Sequence, residues 1–326
     1  MKRGIKMNFT SDEKQFADAL KSVARNLEIK QYIQQSPELY PLFQRSAKRF
    51  VTGESKENGI AVGNQLISKG YRISLEFIGE NTVSREECIQ AKNEFLDLIQ
   101  KCGEEGINTR ISFDLSHIGL SVDADLAFQN LLEMAKLAED NGLSLMISAE
   151  ESKKTEQVLS IYKRAVVEYA NIGVTLQAQL YRSLNDLKEL LDYPGTIRLV
   201  KGAFQEPSDI CIPRSTKLDE RYLELVDLCV KAEHSISIAS HDEAIYKHVI
   251  EHGYLNNSYV EAEMLYGIRS DLCKQLKDDG LPVRVYLTYG SEWYLYLTHR
   301  IAEYPPNIYV AIKDMIQGTE DTLSLY

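Results

Sequence analysis

The chain has 326 residues, 44% of them hydrophobic, and a formal net charge of −11. That supplies a large core, and an α/β barrel of this length forms a single domain. The acidic balance argues against broad nucleic-acid binding, and no run of about 18 apolar residues is present to cross a membrane.

Taken in order, Met1 to Asn8 is basic but has no apolar segment, so no signal peptide is expected. Ser11–Phe50 reads as two or more polar-faced helices that cap a barrel or form a small arm. The expected division is an N-terminal helical arm over 1–50 and a catalytic unit over 51–326. Strand candidates then recur: Tyr71–Ile78, Arg110–Leu115, Leu143–Ile147, Val174–Ala178, Thr196–Val200, Ser235–Ala239, Ser258–Met264 and Val283–Leu287. Each is short and apolar, as parallel strands buried on both faces are. Helical patterns separate them, among them Ala124–Asn141, Lys154–Tyr169, Leu184–Leu191, Arg221–Glu233, Asp242–His252 and Ile268–Lys277. Asp242 suits a helix N-cap, and Gly142 and Gly253 suit helix ends. Eight strands alternating with helices predict a (β/α)8 TIM-like barrel with extra N-terminal helices; a doubly wound open sheet is the rival. Five scattered cysteines without CxxC spacing read as reduced thiols, which places the chain in the cytoplasm. No GxGxxG fingerprint occurs.

Barrels carry their chemistry at the C-terminal ends of the strands. That rule selects Glu80, Asp114, Gln177, Arg198, Lys201, His241, Asp242, Glu261, Glu263 and Tyr286, together with the helix after the last strand. The stretch Arg198-Leu199-Val200-Lys201-Gly202-Ala203 is the most telling. It releases two cations at a strand end, followed by a glycine and an alanine over which a flat ligand can lie.

These segments resemble the proline dehydrogenase family. The resemblance runs from about Arg49 to the C-terminal region. It rests on Arg49-Phe50-Val51-Thr52-Gly53-Glu54, Gly79-Glu80, Gln177-Ala178, Leu180-Tyr181-Arg182, Arg198 to Ala203, Ser240-His241-Asp242, Met264 to Ile268, and Arg284-Val285-Tyr286 through Trp293 and Tyr296. Each motif alone is weak; the set is specific, and nearest to short monofunctional bacterial members. The resemblance implies FAD held non-covalently in a (β/α)8 barrel, hydride removal from the carbon beside the ring nitrogen of proline, and electrons passed on to a quinone or other acceptor. It implies that Arg198 faces the flavin and stabilises negative charge there. Lys201 with Gly202 and Ala203 would contact the phosphate or ribitol side, Gln177 the isoalloxazine, and His241 with Asp242 the ribityl or pyrophosphate region. Glu261 would serve the cofactor, with a structural ion pair as its alternative. Tyr286 and Tyr296 would wall the substrate ring.

The departures from the family pattern cluster on the substrate side. Two arginines that clamp the proline carboxylate in the family correspond here to His299 and Arg300, in Tyr296-Leu297-Thr298-His299-Arg300. In the family the first of them also pairs with the acid of the Gly-Glu motif, which persists as Glu80. Asp114 stands where the family has a lysine, and Ser148 where it has that lysine's aspartate partner. Phe204, Thr288 and Glu263 are further changes. The site loses permanent positive charge and gains a carboxylate. Losing one charge-assisted contact costs ~1.5–3 kcal/mol, so a free carboxylate should be held less well.

Three readings follow. The first is oxidation of proline or a proline-like cyclic amine, including a derivative whose carboxylate is masked as an amide or thioester. The second is a flavin-binding barrel that has lost turnover. The third is a Schiff-base lyase using Lys201, which the surrounding motifs disfavour. His248 and His252 share a helix face like a metal pair, but no accompanying carboxylate supports that. Quinone use would bring transient contact with a membrane, yet the sequence displays no evident amphipathic anchor.

Overall fold

The computed structural model describes residues 11–24, 26–79, 82–303, 307–318 and 321–326. Three helices come first: α1 (Ser11–Ala24), α2 (Leu27–Gln35) and α3 (Leu39–Ala47). Helix α4 (Lys56–Ser68) leads into the alternation β1 (Arg72–Phe77), α5 (Arg85–Glu104), β2 (Arg110–Phe113), α6 (Ala124–Asp140), β3 (Ser144–Ile147), α7 (Thr155–Val166), β4 (Ile172–Gln177) and α8 (Ser183–Leu190). It continues with β5 (Ile197–Val200), α9 (Thr216–Lys231), β6 (Ile236–Ala239), α10 (Glu243–Glu251), β7 (Val260–Leu265), α11 (Ser270–Asp278), β8 (Val283–Tyr289), α12 (Trp293–Glu303) and α13 (Asn307–Gln317). The eight strands run parallel and close in sequence order, with β1 beside β8. Closure excludes the open sheet. Every strand overlaps its sequence candidate, and Asp242 caps α10 by accepting the Ala244 N–H at 2.9 Å.

One expectation changes. The strands are not apolar on both faces. Outward residues such as Ile73, Leu75, Ile111, Phe113, Ile197 and Leu199 pack into one core with the surrounding helices. Inward positions are polar. Arg110 Nη1 on β2 donates to Ser237 Oγ on β6 at 2.8 Å, and Arg198 Nη1 on β5 reaches Ser112 Oγ on β2 at 3.4 Å. Those strands are not neighbours, so the bonds cross the lumen. Side chains alternate along a strand, and here the alternation sorts hydrocarbon outward and charge inward. Arg110 and Arg198 persist in such a lumen because each meets a carboxylate and a hydroxyl.

The described N-terminal helices pack chiefly against the C-terminal helices. Helix α1 lies against α12, and α3 against α12 and α13. A second apolar cluster joins Ala47, Phe50 and Val51 to Trp293, Leu297 and Ile301. Arg49, just past α3, grips Asp314 of α13 through two bonds of 2.6 and 2.8 Å, both groups buried. The helix after the last strand is thereby held from behind.

Candidate active site

Arg198 occupies the second position of β5, so its side chain enters the lumen. Nε donates to Thr175 Oγ1 at 2.9 Å, Nη1 approaches Glu263 Oε1 at 3.3 Å, and Nη2 donates to Ser148 Oγ at 3.0 Å. Burial opposes its charge, but Glu263, Tyr286 and Glu76 outweigh burial and hold the guanidinium above its ordinary pKa. The Tyr286 ring lies 5.0 Å from its Cζ, a cation–π contact. This is a fixed positive charge with no rotational freedom, aimed at the C-terminal mouth.

Three carboxyl groups gather near that mouth. Glu76 in β1 accepts the Tyr286 hydroxyl. Burial pushes its pKa up, against the pull of Tyr286, Arg198 and Arg300. Asp114 follows β2 and makes no ion pair with a described residue. Burial, then the charges of Glu76 and Glu150, push it well above the carboxylate range; Arg198 and Lys154 only partly oppose this. Glu150 itself is fully engaged, accepting the Ser116 N–H at 2.9 Å and Lys154 Nζ at 2.9 Å. Asp114 is thus a carboxyl that a cation entering the site would relieve.

Gln177 ends β4. Its amide nitrogen donates to the Glu150 carbonyl at 2.8 Å, while its buried Oε1 has no partner. A buried acceptor left open is costly, and it fits an N–H donor of a planar ligand. Gly202 has φ +110, and a Cβ there would meet the Gln179 side chain at 2.4 Å, so only glycine holds this turn. His241 Nε2 accepts the Leu265 N–H at 3.0 Å, which assigns the ring proton to Nδ1 in the neutral imidazole. Burial, with Arg300 and Arg269, lowers its pKa to about 3, so it stays neutral. Lys201 is gripped by Asp219 at 2.5 Å and by Asp242 at 2.6 Å. Both carboxylates would compete with any phosphate reaching for it.

Helix α12 carries Tyr296, His299 and Arg300, and Arg300 reaches the same mouth. The Arg300 guanidinium stacks on Tyr296 at 4.8 Å, and its field reaches both Glu76 and His241. Glu80 lies outside the described residues. Glu261 departs from its expectation. It sits at the second position of β7, toward the N-terminal end of the barrel. There it accepts Arg284 at 2.8 and 3.1 Å, Arg110 at 3.0 Å and Arg72 at 3.0 Å. The strand's register, not its rim, set that position, and three guanidiniums leave it no oxygen for a ligand at the mouth.

The proline dehydrogenase family profile matches residues 60–304. A proline dehydrogenase of Deinococcus radiodurans is 35% identical over 281 residues, 83% of this chain and 90% of that protein. Proline dehydrogenase 1 of Bacillus subtilis is 31% identical over 83% of this chain and 91% of its own length. The chain belongs to the proline dehydrogenase family. Among solved structures, proline utilization A from Bdellovibrio bacteriovorus, inactivated by N-propargylglycine, superposes with a TM-score of 0.76 over 95% of this chain. The chain spans 39% of that protein at 18% identity, so this likeness shows the fold alone.

Within this proline dehydrogenase fold the sequence-selected residues divide. Arg198, Gln177, Tyr286, Asp114, His241 and Arg300 converge on one mouth, and Glu261 does not. The residue that sequence reading missed is Glu76. It lies inside an apolar strand and carries no motif; a lone acid at an inward position was its only signal.

Proposed function

We propose that this chain oxidises proline or a proline-like cyclic secondary amine with FAD as its acceptor. The observation that carries the reading is the immobilised Arg198 beneath Tyr286, in a chain of this family. The residues present fit the cofactor: the open acceptor of Gln177, the glycine turn at Gly202 beside Ala203, and the neutral His241 form a polar cradle around a flat ligand. FAD would supply the two-electron acceptor for the hydride on the carbon beside the ring nitrogen, and the amine would lose its N–H proton as the C=N bond forms. Arg198 supplies standing positive charge where negative charge develops. Tyr286 and Tyr296 wall the substrate ring, and burial behind them keeps water out. Glu76 holds the Tyr286 hydroxyl in place.

The substrate side favours an amine whose carboxylate is masked, as in an amide or thioester. Arg300 is the retained clamp, His299 replaces its permanently charged neighbour, and Asp114 offers a carboxyl to the amine instead of a lysine to the acid. Lys201, with Asp242, and Glu80 are further candidates for the cofactor and substrate sides. The helices of residues 1–50 act as a support for α12, and 51–326 is the catalytic barrel. Electrons leave to a quinone or another acceptor, and the protein works in the cytoplasm.

The test is the absorbance spectrum of purified protein before and after free proline, prolinamide and a prolyl thioester. Bleaching that is faster with the masked substrates supports the reading. Fast bleaching by free proline removes the altered substrate. A yellow protein that no cyclic amine reduces would establish the non-catalytic alternative, and a protein unable to take up FAD would refute both.

A further inference from the structure

The N-terminal end of the lumen carries more guanidinium than carboxylate. Arg72, Arg110 and Arg284 share Glu261, and Arg110 shares Glu263 with Arg198, so four cations meet two carboxylates. The excess is felt inside the cluster. Burial, and then the charge of Arg284, lower the Arg110 pKa to about 10, and its buried Nε has no partner among the described residues. Arg72 is the most exposed of the four, with 52% of its side chain in solvent. It spends Nη1 on Glu261 at 3.0 Å, and its Nε and Nη2 meet no described residue.

Arg72 and Arg284 open onto a cleft of about 520 Å³ formed with α4 and the turn from α5 to β2. That is room for a small molecule. Ile67 of α4, Tyr71 and Ile107 give it an apolar lining. Charge of the other sign lines the same cleft. Glu105 caps the C-terminal end of α5, where the helix dipole is negative, and it and Gly106 form part of the wall. Yet Glu105 makes no ion pair with Arg72, Arg284 or any other described residue. Opposite charges face one cavity and the cavity keeps them apart.

We propose that this cleft is a second small-molecule site, and that it binds a zwitterionic aliphatic amino acid. The carboxylate meets the open edge of Arg72 within the field of Arg284. The ammonium meets Glu105 and the end of α5, and the side chain covers Ile67, Tyr71 and Ile107. A plain anion is the poorer occupant because Glu105 and the helix end repel it, and a plain cation is opposed by the two guanidiniums. A ligand of both signs answers each wall and relieves the excess of positive charge. The cleft lies at the opposite end of the barrel from the Arg198 mouth, so its occupant does not compete with an amine bound there.

The test is titration calorimetry of the full chain as purified with leucine, leucinamide and isocaproate at fixed ionic strength. It reads binding and not turnover, so its failure is separate from that of the proposed activity. Leucine should bind saturably in the millimolar range. Leucinamide, which lacks the carboxylate, should bind at least about tenfold more weakly, and isocaproate, which lacks the ammonium, about threefold more weakly. Arg72→Gln should weaken leucine about tenfold. Glu105→Gln, at an exposed site outside the Glu261 cluster, should bring leucine and isocaproate to equal affinity. Absence of saturation, leucinamide binding as tightly as leucine, or a Glu105→Gln protein that still prefers leucine to isocaproate overturns the inference. So does loss of leucine binding in Arg300→Gln, which would place the amino acid at the C-terminal mouth.

Discussion

The two ends of the barrel lumen are built from the same residue types and solve opposite problems. At the N-terminal end, Glu261 is surrounded by Arg72, Arg110 and Arg284. Burial alone would raise the Glu261 pKa, but Arg284 and Arg110 drive it far below the carboxylate range. At the C-terminal end, Glu76 and Asp114 are both pushed up, and Gln177 keeps an open acceptor. The Glu261 carboxylate is fully matched; Asp114 and the Gln177 acceptor are not. Buried groups without partners cost stability, so a fold keeps them where a ligand completes them. That difference separates structural charge from site charge without reference to motifs, and it moves Glu261 from the second class to the first.

The comparison breaks most sharply with Glu261→Ala. Three guanidiniums would lose their shared carboxylate, a loss of about 3–5 kcal/mol for a buried pair, read as a drop in the denaturation midpoint. An unchanged midpoint would mean that the N-terminal end is not a structural cluster. Next, Arg198→Ala should cut flavin reduction by the working amine about 100- to 1,000-fold, with Arg198→Lys recovering only a part because a lysine cannot span Thr175, Ser148 and Glu263 together. Stopped-flow bleaching measures this.

A smaller effect is expected from restoring the family pattern. Asp114→Lys combined with Ser148→Asp should tighten free proline by roughly ten- to hundredfold, measured as the concentration for half-maximal bleaching. No gain would show that His299, not Asp114, sets the preference. The smallest effect concerns pH. The folded Asp114 carboxyl keeps its proton at pH values where the unfolded one, at about 4, has released it. Stability contributed by this group is therefore full below the unfolded value and is lost as pH rises through the folded one. Asp114→Asn should leave the melting temperature unchanged in acid and raise it above wild type toward neutrality. Parallel curves for the two proteins would contradict a partly buried, unpaired Asp114.

Much of the fold could be read directly. Short apolar-rich runs of five to eight residues, separated by helical periodicity, mark all eight strands, and Asp242 stands at its helix N-cap as its type suggests. Arg198, Gln177 and Tyr286 were legible because each lies at a strand position flanked by recognisable motifs. Glu76 was not, because a single acid inside an apolar strand gives no period of its own. Glu261 was misplaced for the related reason that a strand end in sequence does not say which mouth of the barrel it faces.

Periodicity by itself determined the alternation of strands and helices, and short motifs carried the resemblance to the family, since both survive in one dimension. Only the tertiary structure decided which carboxylates find guanidiniums and which stay alone. Both turn on distances across the lumen or between helices far apart in sequence, and pairing energies fall or rise with those distances rather than with position along the chain.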